Sequence, residues 1–91
     1  MKTLLTSLGV IGILTTAAFA KDVDIALKEL PPAVTASIEK AHPGATLLSA
    51  EKDLKADGSI QHFEVTVRVG DKQKELTVLP DGAIQKTEKD N

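Results

Sequence analysis

An imidazole and a carboxylate stand two positions apart at His62 and Glu64, with Phe63 between them. On a β-strand that spacing puts both side chains on one face, where they could seat part of a metal site or pass a proton. Two ligands fall short of the four that a closed structural zinc site takes, so a solvated polar strand face is expected, with ion or small-ligand binding at His62 and Glu64 as the alternative. The other histidine, His42, precedes Pro43-Gly44, a stop signal for a helix, and there an imidazole interacts with the negative end of the helix dipole. Asp53, Asp57, Asp71 and Asp81 raise the question of calcium. However, Asp57-Gly58 and Asp81-Gly82 are turn dipeptides, and no stretch has the regular oxygen spacing of a calcium loop. Glu64 and Glu75 are expected on neighbouring strands, with Arg68, Lys72 and Lys74 near enough to offset them. Cysteine is absent, and Ser37, Ser49 and Ser59 lie in no setting that would activate a nucleophile. The expectation is a non-enzymatic chain with no cofactor, no catalytic residue and no metal-ligand set.

The elements that position these residues begin after an export signal. Met1 to Ala20 carries a lone basic Lys2, an apolar run from Leu4 to Leu14, and Ala18-Phe19-Ala20 directly before Lys21-Asp22. That order of basic, apolar and small residues reads as a cleavable signal peptide, cut after Ala20. The apolar run is shorter than the roughly 20 residues of a bilayer-spanning helix. A periplasmic or secreted location follows, with no membrane attachment after cleavage. The mature segment keeps all 13 acidic residues and loses one of the 11 basic ones, Lys2, which leaves 10 against 13 and a net charge of −3. This mildly acidic chain offers neither a basic stripe for phosphates nor aromatic platforms for bases, so nucleic acid is not an expected partner. Residues 21–91 are read as a single domain, since a chain this short buries only about 60% of its unfolded surface, and no disulfide is available to help it.

Lys21 to Glu29 is short and charged, and suits an extended lead-in or one helical turn. A helix is expected from Leu30-Pro31-Pro32, because proline is tolerated in a first turn. Val34, Ile38 and Ala41 recur at steps of four and three, which makes one apolar stripe. Beyond His42-Pro43-Gly44 the period changes to two. Ala45 to Lys52 reads as a strand of ambiguous register, because Leu47 and Leu48 are adjacent. Phe63, Val65, Val67 and Val69 alternate with His62, Glu64, Thr66 and Arg68. Gly70-Asp71 marks a turn, Glu75 to Leu79 a further strand, Pro80-Asp81-Gly82 a second turn, and Ala83 to Thr87 a last strand, with a frayed tail from Lys86 to Asn91. The expected fold is therefore α+β, with one main helix packed on a four-stranded antiparallel sheet, helix first and then a β-meander. The helix covers the apolar sheet face. The opposite face, bearing His62, Glu64, Thr66, Arg68, Glu75 and Thr77, is the candidate partner-contact surface.

Four segments together, Leu30-Pro31, Ala41-His42-Pro43-Gly44-Ala45, Phe63-Glu64-Val65 and Leu79-Pro80-Asp81-Gly82, resemble the PepSY-like domains, in particular the small exported group described as beta-lactamase-inhibitor-like. The similarity covers nearly all of Leu27 to Lys86. It implies a non-catalytic exported binding module that restrains a peptidase or contacts another protein of the cell envelope. The family has no catalytic residue to carry over. The mature chain departs from a tight inhibitor's surface in having one Arg and Phe63 as its sole aromatic, whereas interface anchors are rich in Tyr, Trp and Arg. A homodimer through unpaired strand edges is the remaining alternative.

Overall fold

In the computed structural model, residues 21–89 are described. The expected signal peptide, residues 1–20, lies outside the described residues. Among the described residues no helix is long and apolar enough to cross a membrane.

The chain is α+β, with one helix on an antiparallel sheet of five strands rather than four. The added strand is β1 (Lys21–Ile25), the segment expected to be a lead-in, which is followed by a single 3-10 turn over Leu27–Glu29. Helix α1 (Pro32–Ala41) precedes β2 (Thr46–Leu54), β3 (Ile60–Val69), β4 (Lys72–Val78) and β5 (Ile84–Lys89). Spatial order equals chain order, β1-β2-β3-β4-β5, and every pairing is antiparallel. The tail expected to fray from Lys86 instead continues β5 as far as Lys89, because Thr87 and Lys86 pair with Leu76 and Thr77 of β4.

Pro32 opens α1 where its missing N–H has no intrahelical role. At the other end the His42 N–H donates to the Ile38 carbonyl at 2.8 Å, and the Ala45 N–H donates to the His42 carbonyl at 3.0 Å. The helix is thus capped by backbone as it turns through Gly44. The buried stripe is Leu30, Val34 and Ile38, spaced at four and four, while Ala41 is exposed. Ala41 shares the helix face of Val34 but is the last residue of α1 and is exposed there, and Leu30, just ahead of the helix, fills the third buried position.

Ala50, Phe63, Val65, Val67, Leu76 and Val78 meet that stripe from the sheet. Burial of such aliphatic and aromatic side chains stabilises by about 1.5–3 kcal/mol each, and this one seam holds nearly all of them. The ambiguity at Leu47 and Leu48 is resolved by a β-bulge. Leu47 pairs with Val67 and Ser49 with Thr66, so Leu48 is the extra residue. Leu47 packs against the core and Leu48 is exposed. A bulge of this kind lets two successive residues escape strict alternation.

Candidate functional site

Strand alternation sends the residues between the core positions to the face away from α1, and no described element covers that face. His62, Glu64, Thr66 and Arg68 of β3 lie there, and cross-strand pairing adds Thr77 opposite Glu64 and Glu75 opposite Thr66. All six residues expected on the polar face therefore share it. Pairing through β2 brings further groups into the same rows. Asp53 stands opposite His62 and Asp22 opposite Asp53, while Glu51 stands opposite Glu64 and Asp24 opposite Glu51.

Lys72 and Lys74 do not offset these carboxylates. They pair with Val69 and Val67, and so belong to the helix side of the sheet, as does Lys52, which pairs with Phe63. On the open face the register leaves Asp22, Asp24, Glu51, Asp53, Glu64, Glu75 and Glu88 against Arg68, Lys86 and the His62 imidazole. Lys86 is already engaged, its ammonium 2.9 Å from Glu88 Oε2. That contact holds the Lys86 pKa above its usual value.

Asp53 is the centre of the face. With the ring proton on Nε2, His62 donates to Asp53 Oδ2 at 2.7 Å, and Glu64 Oε2 lies 3.4 Å from the same nitrogen. Asp53 is 9% exposed, and its Oδ1 is buried without a hydrogen-bond partner. Asp53, His62 and Glu64 can each turn one ligand atom into a space where all lie within 4.8 Å of one another, and Asp22, Glu51 and Asp53 can do the same. A second bulge adjoins this point, since Asp53 pairs with His62 but Leu54 with Ile60, which leaves Gln61 as the extra residue of β3. Bulges tend to re-aim side chains at functional surfaces.

The electrostatics follow from this crowding. The Asp22 carboxyl is raised above its ordinary pKa, first by the hydrogen bond to Asp53 that its protonated form alone can make and then by that residue's charge. Glu64 is raised by burial first and by the Asp53 charge next, although the His62 hydrogen bond works the other way. Burial also lifts Glu51, with Asp22, Asp53, Asp24 and Glu75 adding repulsion. Three carboxyls thus hold their protons more tightly than in water, because desolvation and like charges both disfavour the ionised form.

Sequence reasoning grouped Asp53 with the turn aspartates. Asp57 and Asp81 are indeed in turns, where Asp57 Oδ1 accepts from the Ser59 N–H at 2.9 Å and Asp81 Oδ1 accepts from the Ala83 N–H at 2.9 Å. Asp53 instead sits inside β2 opposite His62. The signal that could have found it is the hairpin folded about Asp57-Gly58, which brings the two residues opposite one another once one bulge is allowed. His42 stands at the end of α1, on a different element from His62, and the two do not form a common site.

Comparison with family models, with curated proteins and with solved structures returns no match. The PepSY-like resemblance therefore rests on the four motif segments alone.

Proposed function

We propose that this protein is an exported, non-catalytic binding module of the PepSY-like kind, and that its open sheet face docks a basic surface of a cell-envelope protein, a peptidase among the candidates. One observation carries the reading: the sheet sorts its charge, with carboxylates on the uncovered face and the lysines of β2 and β4 on the other. A solvated face has no folding reason to collect like charges, since each adds repulsion. Charge of one sign across a face steers and selects a partner of the other sign. The complementarity also sets the partner's sign: Arg68 is a minority charge on this face, and an acidic partner surface would meet repulsion across most of it.

The test is capture from envelope extract by the tagged protein and by a variant carrying Asp24→Lys, Glu75→Lys and Thr77→Lys. Changes at solvent-facing positions generally alter stability by under about 0.5 kcal/mol each, so the folded variant is a fair comparison. The expected result is a partner with a basic surface that wild type retains, that raised salt releases, and that the variant loses. Salt-independent capture, or equal capture by both proteins, would remove the face from the account.

A further inference from the structure

We propose that Asp53, His62 and Glu64, backed by Asp22 and Glu51, form a binding site for a divalent d-block cation of the zinc type. This inference is independent of any docked partner. It stands first on Asp53, a residue 9% exposed whose Oδ2 meets His62 and whose Oδ1 is buried with no hydrogen-bond partner while the neighbouring Asp22 is ionised. Buried carboxylate oxygens are nearly always hydrogen-bonded or bound to metal, because an unsatisfied buried acceptor carries its full desolvation cost. No ammonium or guanidinium is placed to fill this one. Lys86 lies two strands from Glu64 and pairs with Glu88. Arg68 is four residues along β3 from Glu64, about 14 Å at strand spacing.

The second support is the donor set. The ligand atoms of Asp53, His62 and Glu64 come within 4.8 Å of one another, and the His62-to-Glu64 separation is 3.4 Å. Ligand atoms on a tetrahedral zinc at its usual bond lengths are about 3.3–3.5 Å apart, so the Glu64 contact already fits. The 2.7 Å contact between His62 and Asp53 needs only to open as the ring proton is replaced by the ion. One imidazole with carboxylates favours zinc, copper or nickel over calcium or magnesium, which prefer oxygen alone. Three protein ligands would leave a coordination position for water or for a group on a second molecule. Asp22 and Glu51 supply outer carboxylates that the ion's charge would relieve of mutual repulsion.

Zinc chloride titrated calorimetrically into the chelator-stripped protein tests the proposal. Expected is saturable binding of one ion with low-micromolar or tighter affinity, a rise in melting temperature with zinc, and no competition from excess calcium. His62→Ala and Glu64→Gln should each weaken binding by at least about tenfold, the scale on which altered metal surroundings act, while His42→Ala leaves it unchanged. Circular dichroism of the His62 and Glu64 variants establishes that they are folded, and they decide the matter even where Asp53→Asn fails to fold. The proposal is overturned by the absence of saturable binding at millimolar zinc. Zinc binding that His62→Ala leaves intact overturns it equally, since the ion would then sit elsewhere on the acidic surface.

Discussion

Asp53 shows how a residue's surroundings can matter more than its type. The same side chain closes turns at Asp57 and Asp81, yet in β2 it is walled in by His62, Asp22, Glu51 and Glu64. The consequence is a pH dependence of unusual sign. Asp22, Glu51 and Glu64 all have raised pKa values in the folded chain, from ordinary values of 3.8 for Asp and 4.5 for Glu. Between the unfolded and folded pKa values the folded state therefore holds more protons than the unfolded one, and stability falls as pH rises through that window. The full penalty is present at neutral pH and is relieved on acidification through the raised values. Asp57 works in reverse, since the Ser59 hydroxyl and N–H lower its pKa, and the stability it adds is lost as pH falls through its folded value, below 3.8. Thermal melts of the metal-free protein should accordingly climb from pH 7.5 to a maximum near the ordinary carboxylate values, about pH 4. Asp22→Asn should raise the melting temperature at pH 7.5 and flatten that climb. A melting temperature that falls steadily from pH 7.5 downward would show that the crowding is not felt.

At the scale of elements, the turn that launches β5 fixes how closely the sheet can approach the helix. Gly82 is buried at φ +100°, and a Cβ placed there would meet the Ala33 carbonyl oxygen of α1 at 2.7 Å. Both backbone conformation and space demand glycine. Gly82→Ala should therefore destabilise by about 1–3 kcal/mol, the usual cost of holding a side chain in such a conformation, and more if α1 must move. Urea unfolding monitored by circular dichroism measures it, and a midpoint equal to wild type would mean that the turn and helix are not in contact. Pro80-Asp81-Gly82 was readable as a turn from residue types alone, and so were α1, the long alternation of β3 and the turn at Gly70-Asp71, because each is a local pattern. What escaped was non-local. β1 is five residues with Val23 and Ile25 between charges, too brief to declare its period, and it becomes a strand only because β2 offers it an edge. The bulge at Gln61, beside the Asp57-Gly58 turn, hid the pairing that sets Asp53 opposite His62, and the bulge at Leu48 hid the register of the rest of β2. The polar face was legible as six residues of β3 and β4, but its acidity came from β1 and β2 and was not.

Residues 21–89 form a two-layer arrangement in which the buried apolar side chains lie between α1 and one side of the sheet, and the crowded carboxylates lie on the other. A chain of this length has only about 5–15 kcal/mol of net stability, so crowding carboxylates on one face is a substantial concession by the fold. Function is the natural reason for such a concession. The β1 edge of the sheet serves self-association poorly. β1 carries Lys21, Asp22 and Asp24, and charged side chains on an edge strand discourage pairing with a second copy. The open face is left as the surface with a distinctive chemistry. Carboxylate footprinting of the protein, free and with the proposed envelope partner once captured, tests this most directly, because labelled carboxyls report the two sides of the sheet separately where backbone amides cannot. Asp24, Glu51 and Glu75 should lose reactivity on binding, while Glu39 on the helix and Asp71 and Asp81 in the turns keep theirs. Protection at Glu39 with Asp24, Glu51 and Glu75 unchanged would place the partner on the helix side and contradict the account.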